Sequence, residues 1–186
     1  MRCFADQIES VLISEEELKS KVSELGRQIT HDYQDKPLLL VAVLKGSAIF
    51  LADLLRSIEL PVDYDFVAVS SYGSNSQTSG VVRLLKDVDS DIKGKDVIIV
   101  EDIVDTGWTL RLSYLIENML ARGAASVKVC ALLDKPCRRK VDIGIDYRGF
   151  VIEDHFVVGY GLDYQGRYRN LPYVGILKRE SRSNTL

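Results

Sequence analysis

Two common devices for gripping a nucleotide phosphate are missing from this chain. It has no GxxxxGK[S/T] loop and no GxGxxG turn, which excludes a P-loop for a nucleoside triphosphate and a dinucleotide fingerprint. Cysteine is scarce. Cys3, Cys130 and Cys137 form no CxxC pair, and an odd number cannot all pair within the chain. A disulfide framework is thereby excluded, and reduced thiols in a cytoplasmic compartment are the expectation. No His-partner motif accompanies these thiols, so a cysteine nucleophile is not expected. There are only two histidines, His31 and His155; neither has metal-ligand companions, and both read as structural or exposed. No apolar run is long enough to span a bilayer, and the opening MRCFADQIES lacks the apolar core of a secretory signal. Charge of one sign is lacking too. A formal net charge of -3 gives no bias toward nucleic acid or anionic membrane, and no partner of either kind is expected. The run Arg138, Arg139, Lys140 reads as a solvated face.

What is present belongs to an ordinary globular protein. The 186 residues, 46% hydrophobic and 27% charged, suit one domain with a sizeable core. The segment ISEEELKSKVSELGRQITHDY reads as a helix: Ser14 and Glu17 match a capping box, and Leu18, Val22, Leu25 and Ile29 share a face. PLLLVAVLKGSAIFLADLLRSI reads as an apolar strand, a tight turn at Lys45-Gly46 and a helix. DYDFVAVSSY is a second strand, GSNSQTSG a polar loop and VVRLLKDV a strand returning from it. DVIIVEDIV is again an apolar strand, TLRLSYLIENMLARG a helix ending near Gly123, and VKVCALLD another buried strand. Beyond it the chain turns rich in Tyr, Gly and Arg. Apolar strands alternating with amphipathic helices predict a mainly parallel α/β sheet covered on both faces, with ligands beyond the carboxyl ends of its strands.

Three of those strand ends carry unusual chemistry: LKGS, SSYGS and EDIVDTGWT. In the last, a strand runs through a short loop into a helix, whose first backbone N–H groups are unpaired. Gly107 permits close backbone approach, and Thr106 and Thr109 add hydroxyls, a combination suited to a phosphate monoester. Glu101 and Asp102 lie on opposite sides of the backbone if the strand persists there. Carboxylates accept hydrogen bonds from sugar hydroxyls or hold magnesium. Asp105, nearer the phosphate, is left for proton transfer. An acidic solvated turn before an N-capped helix is the plainer alternative, and the apolar run before it with Thr-Gly after it argues against that.

VIIVEDIVDTG closely resembles the signature of the type I phosphoribosyltransferases, which bind 5-phosphoribosyl pyrophosphate. LKGS, SSYGS and FVVGYGLDYQGRYRNLPYVGIL, with Lys135 upstream, narrow the resemblance to the hypoxanthine-guanine phosphoribosyltransferases of the short bacterial type, over nearly the whole chain. The resemblance implies a single domain over residues 1–186, with a small hood subdomain formed by the N-terminal residues and roughly 136–186. It implies a magnesium-dependent purine salvage enzyme acting on hypoxanthine and guanine, cytoplasmic, and a homodimer or homotetramer.

By the same resemblance, Glu101 and Asp102 would hold the ribose hydroxyls and metal, and Asp163 a second magnesium. Thr106, Gly107, Trp108 and Thr109 would surround the 5-phosphate, with Asp105 as base. Lys45 and Gly46 would contact pyrophosphate across a cis Leu44–Lys45 peptide, Arg169 would clamp it, and Ser71 and Tyr72 would belong to a lid. Lys135 would donate to the purine 6-oxo group, Phe156 would stack on the base, and the Val157 backbone would read its edge. Pattern alone reads Phe156 as a core aromatic and cannot choose between Arg167 and Arg169; the family match selects the pocket and Arg169. Trp108 departs from the family, whose members commonly carry a smaller or flexible side chain there, and Glu153 replaces a common proline. A xanthine-using relative is the rival enzyme. A nucleic-acid-reading regulator on the same fold is the rival of another class, and the basic face it needs is missing.

Overall fold

The computed structural model describes residues 4–71, 82–105, 109–138 and 144–180. Its framework is a six-stranded sheet built from β2 (Leu38–Val43), β3 (Asp63–Ser71), β4 (Val82–Lys86), β5 (Asp96–Val104), β6 (Ser126–Asp134) and β7 (Tyr147–Val151). The spatial order is β4-β3-β2-β5-β6-β7. All neighbours run parallel except β4, which returns antiparallel along β3.

The central strand β2, LLLVAV, is buried at every position, as a parallel strand covered on both faces must be. Its alternate residues divide between two cores. Leu38, Leu40 and Ala42 face α1 (Glu15–Asp32) and α2 (Ala48–Ser57), meeting Leu18, Leu25, Ile29, Phe50 and Leu54. Leu39, Val41 and Val43 face α3 (Thr109–Ala121), meeting Leu112, Leu115 and Met119. The α1 stripe expected from spacing is the buried one, and its start carries the full capping box between Ser14 and Glu17.

A second, three-stranded sheet has the order β1-β9-β8, from β1 (Ile8–Ile13), β8 (Val157–Val158) and β9 (Val174–Leu177). β1 pairs antiparallel with β9 although more than 160 residues separate Ile8 from Leu177. Nothing local marks β1 as a strand, and no strand is expected there from the sequence. The stretch after residue 136 is shared between sheets: β7 joins the six-stranded sheet, whereas β8 and β9 form the small one. Tyr160 ties the small sheet to the framework, its hydroxyl donating to Asp53 Oδ2 of α2 at 2.6 Å. No helix among the described residues is long and apolar enough to cross a membrane.

The order of the large sheet reverses at one place. From β2 the chain goes outward to β3 and β4, then returns to lay β5 on the other side of β2. Such a switch point leaves a crevice beyond the carboxyl ends of two adjacent strands. Here those ends are Lys45-Gly46 and Glu101–Asp105.

Candidate active site

β5 stays extended through Val104, so Glu101 and Asp102 do point to opposite sides of the sheet. Asp102, Ile103 and Asp105 line a cavity of about 260 Å³ beyond the strand ends. Lys135, at the end of β6, forms a second side. His155, Phe156, Val157, Leu162 and Asp163, from β8 and the chain on either side of it, close it opposite. The strand-end carboxylates and the expected purine-reading residues therefore share one cavity.

Glu101 does not line it. It is fully buried among the residues facing α3, and neither carboxylate oxygen has a hydrogen-bond partner among the described residues. Burial pushes its pKa well up, the Asp102 charge adds to that, and Arg111 pulls the other way. Asp102 is also buried, and burial raises its pKa to about 6; the Ile103 N–H at 2.9 Å and the Arg169 charge oppose the rise, and Asp163 supports it. A carboxylate at that value is mostly ionised at neutral pH and can accept hydrogen bonds from sugar hydroxyls.

Gly46 is where β2 meets β5. The Leu44–Lys45 peptide is cis, as the resemblance implies. A Cβ at position 46 would lie 1.6 Å from Asp102 Oδ2, so only glycine fits beside that carboxylate. On the other side, a Cβ on Gly161 would sit 2.0 Å from the Gly46 oxygen, and Gly161 has φ +100°. Two glycines thus let three backbone segments converge. Lys45 itself is exposed.

The loop after β8 supplies the remaining charged groups. Arg169 donates to the Gly161 oxygen and pairs with Asp163 Oδ1 at 2.5 Å, while Asp163 Oδ2 accepts from the Gly166 N–H at 2.7 Å. Arg167 is exposed, so of the two arginines it is Arg169 that the fold turns toward Asp163. Phe156 is not in the core: it is 38% exposed, lines the cavity and meets Tyr164 edge-on at 5.6 Å. The Phe156 oxygen accepts from the Leu177 N–H at 3.0 Å, and Val157 pairs with Ile176, which fixes this segment against β9.

Lys135 is held at both ends. Its N–H donates to the Val104 oxygen at 3.0 Å. Its ammonium donates to the His155 oxygen at 2.7 Å and pairs with Asp154 Oδ1 at 2.9 Å. Ser71 ends β3, paired with Val82, and Thr109 begins α3. Tyr72, Thr106, Gly107 and Trp108 lie outside the described residues. No local pattern in the sequence sets apart the apolar walls Ile103 and Leu162, the neighbouring His155, or Asp154. Each is placed only by strand ends and loops that meet in space.

Magnesium favours one or two carboxylates completed by substrate oxygens and water. Asp102 and Asp163 on one cavity fit that donor set, and Glu101 on the far face does not reach it. Among the described residues no three His, Cys, Asp or Glu side chains gather into an all-protein metal cage.

Residues 12–165 match the family model described as phosphoribosyl transferase domain. The hypoxanthine-guanine phosphoribosyltransferase of Bacillus subtilis is 53% identical over 171 residues, which is 92% of this chain and 94% of that protein. The hypoxanthine phosphoribosyltransferase of Salmonella typhimurium is 52% identical over 89% of this chain and 93% of its own. A crystal structure of a hypoxanthine phosphoribosyltransferase from Staphylococcus aureus superposes with a TM-score of 0.92 at 48% identity, covering 97% of both chains.

Proposed function

The chain belongs to the phosphoribosyl transferase family, in its hypoxanthine-guanine branch, and from that premise we propose a purine salvage reaction. The phosphoribosyl group of 5-phosphoribosyl 1-pyrophosphate passes to hypoxanthine or guanine, giving IMP or GMP and pyrophosphate. The observation that carries this reading is the shared cavity, on which Asp102, Asp105 and Asp163 meet Lys135, Phe156 and Val157.

In the reaction the bond from the sugar C1 to pyrophosphate breaks and a bond from C1 to a purine ring nitrogen forms. Positive charge develops on the sugar and negative charge on the leaving group. Arg169 and the backbone at Lys45-Gly46 face the leaving group, which is electrostatic stabilisation aimed at the transition state. Asp102 and Asp163 would hold a magnesium ion, which would supply positive charge against the leaving pyrophosphate. Asp102 takes the ribose hydroxyls. Asp105 accepts the proton that the ring nitrogen gives up, a service worth about 10²–10⁴-fold in rate.

Selection of the base follows from donors and acceptors. An ammonium has three donors and no acceptor. Lys135 therefore suits a 6-oxo group and leaves a 6-amino group facing another donor. Phe156 offers a ring against the base and the Val157 backbone its edge contacts.

Incubation with 5-phosphoribosyl pyrophosphate, magnesium and each of hypoxanthine, guanine, xanthine and adenine tests the reading. IMP and GMP are the expected products, with no AMP. A protein that releases pyrophosphate with none of the four refutes it.

A further inference from the structure

The ammonium facing the base has its own holder. The Lys135 side chain is only 10% exposed, and a charge taken that far from water needs a partner. Two partners are present among the described residues: the neutral oxygen of His155 at 2.7 Å and the carboxylate of Asp154 at 2.9 Å. Three N–H bonds leave an ammonium in tetrahedral directions. With two committed, the third is the one left for the cavity that Lys135 lines. A lysine amine on four methylenes has no direction of its own, so these two contacts are what aim it.

We propose that Asp154 is a positioning residue for base selection, acting through Lys135 and not on the substrate. The inference rests on the base-reading role given to Lys135 above. Asp154 opens a run of four residues with complementary tasks: Asp154 and the His155 carbonyl hold the ammonium, and Phe156 and Val157 line the cavity themselves. The run is locked from both ends. His155 N–H donates to the Glu153 oxygen at 2.7 Å, and Leu177 N–H to the Phe156 oxygen at 3.0 Å. A shift of this run therefore moves the base's stacking partner and its 6-oxo donor together.

The test is steady-state kinetics of Asp154→Ala and Asp154→Asn, each alone and on a Lys135→Ala background. Asp154→Ala raises KM for hypoxanthine about tenfold, a value set below that of a fully buried pair because the Asp154 side chain is 39% exposed. KM for 5-phosphoribosyl pyrophosphate and kcat stay within about twofold, since neither the sugar-phosphate contacts nor the base Asp105 is touched. Asp154→Asn, which keeps an acceptor oxygen but not the charge, falls between alanine and wild type. On the Lys135→Ala background, removing Asp154 raises the hypoxanthine KM by less than about twofold further, because its effect on base selection runs through that ammonium. An unchanged hypoxanthine KM in Asp154→Ala overturns the proposal, as does a full extra loss on the Lys135→Ala background or a parallel rise in both KM values. A wild-type chain that forms a nucleotide with none of the four bases refutes the function itself, and this role with it. An active wild type with an indistinguishable Asp154→Ala refutes this role alone.

Discussion

Replacing Gly46 with alanine probes the convergence of β2, β5 and the loop after β8. The added methyl would lie 1.6 Å from Asp102 Oδ2 and 2.5 Å from its Cγ, where real Cβ atoms keep at least 3.0 Å. Either the backbone at 46 or the Asp102 carboxylate must give way by about 1.4 Å. The backbone is hemmed in, because the Gly161 Cα packs against the Gly46 oxygen. Asp102 therefore rotates and forfeits its bond from the Ile103 N–H at 2.9 Å, together with its aim into the cavity. A hydrogen bond from a ribose hydroxyl to that charged carboxylate is worth about 1.5–3 kcal/mol, and at about 1.4 kcal/mol per decade its loss lowers the affinity for 5-phosphoribosyl pyrophosphate by about 10- to 100-fold. Calorimetric titration with the pyrophosphate and magnesium measures it. Gly144→Ala is the control: a Cβ there meets nothing within 4 Å and φ is not positive, so it should bind as wild type. A Gly46→Ala protein that binds the sugar pyrophosphate with wild-type affinity would show that the carboxylate is not held where the geometry places it.

Three further outcomes are expected. Asp105→Asn keeps both substrates bound and slows the single-turnover step by about 10²–10⁴-fold; an unchanged rate removes Asp105 from the role of base. Asp65→Asn destabilises the fold: burial alone would raise this carboxyl's pKa, but N–H groups of Phe66 and Ser90 and the Lys86 ammonium outweigh it and bring the value down to about 2. A pKa lowered from the unfolded value near 3.9 means ionised Asp65 stabilises the fold fully above about pH 4 and loses that contribution as pH falls through about 2. Urea unfolding should give a wild-type advantage of about 1–2 kcal/mol at pH 7, after allowance for solvent screening, that shrinks near pH 2.5; a gap that does not depend on pH contradicts it. Ser14→Ala removes the acceptor of the Glu17 N–H and the donor to Glu17 Oε2. Loss of one cap in a chain of this size lowers the melting temperature by about 2–4 °C, and an unshifted melting curve shows that packing of α1 alone sets its start.

Local order was readable because local forces make it. The capping box of α1, the apolar stripe Leu18, Val22, Leu25, Ile29, and the uniformly buried β2 each follow from spacing within a dozen residues. Concentration of unusual chemistry at LKGS and EDIVDTGWT was readable as well, since a strand that ends in acids and glycine has few structural reasons to do so. β1 was not readable. IESVLI pairs with a strand at the other end of the chain, and the free energy of that pairing lies in contacts no short window contains.

Spacing and motif carry the alternation of strands and helices, the starts and stops of α1 and α3, and the family signature with its acids and its lysine. Packing settles that Asp102 and not Glu101 faces the cavity, that Arg169 is tied to Asp163 and the Gly161 oxygen, and that Asp154 holds Lys135. The reason is geometric. Alternation along a strand says that neighbours point apart but not which side is inward, and a side chain's partner is fixed only once distant segments have packed.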